Sequence, residues 1–175
     1  MFKIGDLIVY SGHGICRVDD ISDKTYAGIT KTYYVLHPIE NNQKLTINTP
    51  VDNDNIGKVK LMDQEEAERI LESFHSAGIN WIEKPQLRVQ VYKNIVNTGN
   101  RMDIAKVANT LMRKKHEIEM GKRKFYQQDS RILNTIQNIL FKELAITLHT
   151  SPDVIIEKIK SMLRIQDKTT IQDIC

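Results

Sequence analysis

Cysteine, proline, glycine and tryptophan are all scarce in this 175-residue chain, which holds 2 Cys, 4 Pro, 8 Gly and 1 Trp. Cys16 and Cys175 stand near opposite ends with no CxxC or Cys/His spacing, which argues against a disulfide framework or a zinc site and for a reducing compartment. So little Gly and Pro excludes a collagen-like or low-complexity chain. No run approaches the about 18 uncharged apolar residues of a membrane span. The opening MFKIGDLIVYSG carries Asp6 inside its apolar stretch and lacks a basic leader, so it does not read as a secretory signal, and a cytoplasmic location is expected. His13, His37, His75, His116 and His149 are scattered, with no HExxH, and GxSxG, P-loop and GxGxxG motifs are missing. No metal, cofactor or catalytic site is expected, and a hydrolase built on the histidines finds no support in their spacing.

What is present is ordinary for a folded chain. Hydrophobic residues at 41% and charged residues at 27% suit one large domain or two small ones. The net charge of +3 hides an asymmetry: residues 1–76 hold 8 Lys+Arg against 12 Asp+Glu, and residues 77–175 hold 17 against 10. Between Lys84 and Arg131 the ratio is steeper, at 12 to 4. An acidic front and a basic middle point to two surfaces that meet different partners, the basic one a polyanion.

The hydrophobic pattern changes near the same place. Short β-branched or aromatic runs at Leu7–Tyr10, Ile15–Val18, Thr32–Leu36, Lys44–Thr49 and Val59–Leu61 predict five strands, with a tight turn at Ser11-Gly12-His13-Gly14. A closed or half-closed SH3-like barrel is the natural way for so few strands to leave few edges. From Asp63 the period becomes helical: Ala67, Ile70, Leu71 and Phe74 share a face, with Asp63 and Glu66 resembling a capping box. Pro85 opens a second helix whose apolar face is Leu87, Val91 and Ile95, and Gly99 stops it. Ile104, Val107, Ala108, Leu111 and Ile118 mark a third, Ile132, Ile136, Ile139, Leu140 and Leu144 a long fourth, and Ser151-Pro152 opens a last one along Ile155 and Ile159. The reading is therefore α+β: a five-stranded β domain over residues 1–62, a linking helix over 63–76, an all-α domain over 77–163 and a polar tail over 164–175.

Two features carry functional weight. The first is the basic series Lys84, Arg88, Lys93, Arg101, Lys106, Arg113, Lys114, Lys115, Lys122, Arg123 and Lys124, which suits nucleic-acid phosphates, although cations near a helix C-terminus also answer the helix dipole. The second is Trp81, the only tryptophan, between the first helix and the basic bundle. A lone Trp serves either as a core or interface anchor or, beside a cationic surface, as a ring that stacks on a base or wedges between base steps.

Taken together, these residues resemble the CarD/CdnL group of bacterial transcription regulators, whose first domain is shared with the transcription-repair coupling factor. The resemblance spans about residues 1–163. It rests on Phe2-Lys3-Ile4-Gly5-Asp6-Leu7-Ile8-Val9-Tyr10 with His13-Gly14, on Gly28, Tyr34-Val35-Leu36, Leu45-Thr46-Ile47, Pro50-Val51 and Gly57, then on Asn80-Trp81, Tyr92-Lys93, Gly99-Asn100 and Glu143-Leu144-Ala145. It implies a Tudor-like β domain that adds a strand to the β subunit of RNA polymerase, near Lys24, Tyr26 and Asn48. Asn48 stands where relatives often carry arginine. It also implies a helical domain on promoter DNA near the −10 element, with little sequence preference. There Trp81 would wedge at the edge of the melted bubble, with Arg88 and Lys93 on the backbone and Lys84, Arg113, Lys114, Lys122, Arg123 and Lys124 adding charge. Phe125 to Asp129 replaces the family's Leu-Ser-x-x-Glu. The implied function is a monomeric, non-enzymatic factor that stabilises the open promoter complex; the alternative is a protein-protein adaptor of polymerase that does not touch DNA.

Overall fold

Alternation builds the first third of the chain. In β1 (Leu7–Tyr10), β2 (Gly14–Tyr26) and β3 (Ile29–Pro38), every second residue faces one side, so Ile8 and Tyr10, Cys16 and Val18, and Tyr34 and Leu36 form a buried cluster. β4 (Ile47–Pro50) and β5 (Lys58–Lys60) complete an antiparallel sheet of order β4-β3-β2-β1-β5. The computed structural model describes residues 1–10, 13–39, 45–53 and 58–165, and the chain divides into two compact units, Met1–Leu61 and Met62–Cys175.

The β2–β3 hairpin is much longer than its apolar runs predict. Beyond a bulge between Val18 and Asp20, the two strands stay paired as far as Tyr26 opposite Ile29. Ala27 (φ 50°) and Gly28 (φ 78°) close the hairpin, the paired left-handed geometry of a two-residue turn. Along the outer arm, residues 20–26 and 29–33, no side chain is fully buried, and the few apolar residues, Ile21, Tyr26, Ile29 and Tyr33, are too sparse among polar ones for hydrophobic periodicity to register. β1 pairs with β2 only over Gly14–Arg17. Among the described residues, the arm from Asp20 to Tyr26 therefore carries a ladder on one side only.

One expectation changes here. β4 starts at Ile47 rather than Lys44, a residue outside the described ones, as are Ser11 and Gly12 of the predicted turn, Gly57 and residues 166–175 of the predicted tail. β4 and β5 are the sheet's two edges, and no backbone ladder joins them among the described residues. They are linked by Lys58, whose Nζ donates to the Pro50 carbonyl at 2.7 Å.

The second unit is helical: α1 (Gln64–Glu72) with a 3₁₀ turn at Ser73–His75, α2 (Pro85–Thr98), α3 (Arg101–Met120), α4 (Gln127–Ile136), α5 (Lys142–Thr147) and α6 (Pro152–Met162). Local chemistry sets several ends. Asp63, Asn100 and Ser151 accept the backbone N–H of Glu66, Asp103 and Val154, and Gly99 ends α2 at φ 73°. A π-helical segment, Gln137–Phe141, joins α4 to α5.

The helix expected as a linker lies in this unit's core, where Ala67, Ile70, Leu71 and Phe74 are buried with Leu111, Ile136, Leu140, Phe141, Leu144 and Ile159. Buried Glu143 ties the unit together. It accepts the Met62 N–H at 2.9 Å and two Arg101 N–H groups at 2.6 and 3.0 Å. Burial alone would loosen the Arg101 proton, but Glu143 and Glu66 outweigh it and the pKa rises.

Candidate functional site

Trp81 sits on a stretch with no regular structure, between Ser76 and Lys84. A backbone of this kind must find hydrogen-bond partners outside itself, and here side chains of α2 and α3 supply them. Asn109 Nδ2 donates to the carbonyls of Phe74 (3.3 Å) and Ser76 (2.9 Å), Thr110 Oγ1 to Ile79 (2.6 Å), and Tyr92 OH to Asn80 (3.0 Å). Arg88 Nη1 donates to Ile82 (2.6 Å) and Glu83 (3.4 Å). Burial raises the pKa of the Tyr92 phenol, so it stays a neutral donor. Gly78 permits the close approach: a Cβ there would fall 2.2 Å from Thr110 Oγ1 and 2.7 Å from the Lys106 carbonyl.

The indole itself is half-buried and lies against the helical core. The Arg88 guanidinium is 3.9 Å from its centroid, Lys114 Nζ is 5.6 Å away, and the Tyr126 ring stacks at 6.4 Å with 25° between planes. A groove of about 530 Å³ runs past it, lined by Gly78, Asn80, Trp81, Arg113, Lys114 and Glu117 among others. Trp81 is thus neither a fully buried anchor nor a free ring. It is a partly covered platform on a braced segment, edged by cations.

Arg88 requires a correction. Its side chain is buried, forked onto the equally buried Asp129, and bonded to two carbonyls, so it presents no charge to a phosphate in this conformation. Its guanidinium lies against the Trp81 ring instead. The inward face of α2 is accordingly centred on Arg88 and Tyr92, whereas Leu87, expected on the apolar face with Val91 and Ile95, is exposed. The shift is physical: paired with Asp129 and covered by an indole, a guanidinium is accommodated inside.

Of the other basic residues, Arg101 is drawn into its ion pairs with Glu143 and Glu66, and the rest remain outside. Lys84 is exposed at the start of α2, and Lys93 is exposed beside a cleft of about 300 Å³ shared with Asn97, Arg131 and Thr135. Arg113 is exposed, with Nε on Asn109 Oδ1 at 2.8 Å; half-exposed Lys114 pairs with Glu117 at 2.8 Å. Lys122, Arg123 and Lys124 are exposed between α3 and α4. Sequence reasoning missed Asn109, Thr110, Tyr126 and Asp129. A signal for the first two existed: a polar pair within the apolar series Ile104, Val107, Ala108 and Leu111.

In the β unit, Lys24 and Asn48 meet. Lys24 Nζ reaches from β2 across β3 and donates to Asn48 Oδ1 at 2.7 Å. Tyr26, 55% exposed, stands near the hairpin tip with its ring edge-on to Tyr33 at 5.5 Å. At the bulge, Asp19 accepts from Arg17, which holds its carboxyl below the usual range, and lies 2.6 Å from His37 Nδ1. Among the described residues, no three His, Cys, Asp or Glu side chains gather as a metal site requires, and no helix is long and apolar enough to cross a membrane.

Comparison with protein families agrees with this division. Residues 2–60 match the CarD-like/TRCF RID domain, and residues 69–160 match the C-terminal domain of CarD. The chain belongs to the CarD family. It is an RNA-polymerase-interacting transcription factor of α+β architecture, from a family of non-enzymatic regulators. Within the CarD family frame, Lys24, Tyr26 and Asn48 fall in the matched RID region, and the braced Trp81 segment falls in the matched C-terminal region.

Proposed function

We propose that this CarD-family protein stabilises the open promoter complex, gripping the β subunit of RNA polymerase with its Tudor-like β unit and promoter DNA near the −10 element with its helical unit. The observation that carries the reading is Trp81: a half-exposed indole on a segment whose carbonyls are held by Asn109, Thr110, Tyr92 and Arg88. A wedge between base steps works only if it is held against the force of restacking, and this bracing supplies that hold. Lys84, Lys93, Arg113, Lys114 and Lys122 to Lys124 would meet phosphates, which fits contact with little sequence preference. On the polymerase side, the one-sided ladder of Asp20–Tyr26 suits strand addition, and it carries exposed Tyr26 and Lys24, which reaches across β3 to Asn48.

The mechanism is differential affinity. A factor that binds the open complex more tightly than the closed one shifts the equilibrium by that difference and no more. The test measures open-complex lifetime on a promoter with saturating factor, beside co-purification with polymerase. The 175-residue chain should lengthen the lifetime, and Trp81→Ala should lose that effect while still co-purifying. Equal lifetimes with the parent protein and Trp81→Ala, or co-purification without any shift of premelted fork DNA, would return the protein to the adaptor reading.

A further inference from the structure

The start of α4 breaks a local rule. Helix N-caps favour Ser, Thr, Asp or Asn, whose side-chain oxygen takes up an otherwise orphaned N–H. α1, α3 and α6 follow it with Asp63, Asn100 and Ser151. α2 and α4 do not: their N-cap residues, Lys84 and Tyr126, make no side-chain capping bond, and of these two only α2 compensates with a proline, Pro85, in its first turn. Core packing does not account for the choice: Trp81 and Phe125 pack against the helical core as partly buried residues, while Tyr126 is 47% exposed. Departures from local consistency concentrate at functional positions.

The position of the ring shows what the exception serves. Tyr126 lies 6.4 Å from Trp81 with only 25° between the planes, and 5.3 Å from Arg88, which itself sits 3.9 Å from the indole. These distances close a tight triangle around one buried cation. The exposed run Lys122, Arg123 and Lys124 precedes Tyr126 with only Phe125 between, and Lys114 lies on the indole side. Two near-parallel, partly exposed rings bordered by cations match the chemistry of a single-stranded nucleic-acid platform, where bases stack on aromatics and phosphates meet lysine and arginine.

We propose that Tyr126 is a second nucleic-acid-contacting ring, presented beside Trp81 to take an unpaired base at the junction of melted and paired DNA. The inference rests on the DNA-facing reading of Trp81 and adds to it a residue and a ligand: an unstacked nucleobase, in place of the paired duplex alone. Tyr126 gives up the helix cap to hold this position.

The test titrates the 175-residue chain against two labelled DNAs, a fully paired promoter duplex and the same sequence with a premelted fork. Tyr126→Ser, which restores a good cap, should weaken fork binding about fivefold or more and change duplex binding by no more than about twofold, as expected for loss of one base stack. Its melting temperature should be equal or higher, and Tyr126→Phe should bind the fork like the parent. Unchanged fork affinity in Tyr126→Ser overturns the proposal, as does an equal loss on fork and duplex. A lowered melting temperature with parental fork affinity would make Tyr126 a mere cover for Trp81 and also overturns it. Trp81→Ala is measured alongside: if that variant keeps full fork affinity, the DNA-facing reading of Trp81 itself fails, a result distinct from Tyr126→Ser binding normally while Trp81→Ala does not.

Discussion

Arg88 and Asp129, 41 positions apart, form a forked ion pair inside the helical unit, with Nη2 to Oδ2 at 2.7 Å and Nε to Oδ1 at 3.1 Å. The same guanidinium underlies the Trp81 ring and bonds the carbonyl of Ile82, so one buried cation joins α2, α4 and the irregular segment. Arg88→Met should cost about 3 to 5 kcal/mol, because it leaves the Asp129 carboxylate buried without its partner. Arg88→Met with Asp129→Leu should recover much of that loss, since an apolar pair of similar volume replaces two desolvated charges. Urea denaturation of the parent, both single variants and the double variant closes the cycle. A double variant no more stable than Arg88→Met would show that the carbonyl bonds, rather than the ion pair, hold the site.

Gly78 should tolerate no side chain. Its neighbours at 2.7 and 2.9 Å from a built Cβ are backbone atoms of α3, the Lys106 carbonyl and the Thr110 amide, which cannot rotate away. Gly78→Ala should lose about 1 to 3 kcal/mol through overpacking. It should also shift the fluorescence maximum of Trp81, three residues on, as the segment lifts from α3. A parental melting curve and emission spectrum would contradict the close approach.

Lys122 holds a left-handed backbone at φ 57°, while the adjacent Gly121 stays at φ −75°. A side chain there carries a cost of about 1 to 2 kcal/mol that glycine avoids. Lys122→Gly should therefore raise folding stability by up to about 1 kcal/mol, after glycine's greater freedom in the unfolded chain is subtracted. If Lys122 meets a phosphate, the same change should make the log-log salt dependence of DNA binding shallower by about 0.9. Thermal melting and a salt titration read the two effects separately.

Cys16 is buried between the strands, and burial pushes its thiol from the ordinary 9.0 up to about 11. The folded form thus keeps its proton where the unfolded form loses it. This contribution to stability is intact below pH 9 and is lost as pH rises towards 11. Denaturation midpoints should fall across that window more steeply for the parent than for Cys16→Ala. At neutral pH, the folded thiol should resist alkylation until the sheet opens.

What could be read along the chain was whatever closes within a few residues. The caps at Asp63 and Ser151, the stop at Gly99, the strand at Leu7–Tyr10 and the change of period after Asp63 are each local bonds or local repeats. The basic series and the single Trp81 were visible for the same reason, since composition needs no fold.

The tertiary structure decided the rest, because those interactions join positions that sequence leaves far apart. The outer β2–β3 arm is held by cross-strand pairing rather than apolar burial, so its polar residues gave no strand signal. Arg88 reads as a surface cation until Asp129 arrives from another helix to neutralise it, and Glu143 as a surface acid until Met62, 81 positions away, donates to it. Tyr126 looks like an ordinary loop aromatic until α4 brings it beside Trp81. Charge and aromaticity are properties of residues, but whether a group is buried, paired or presented depends on what the fold places next to it.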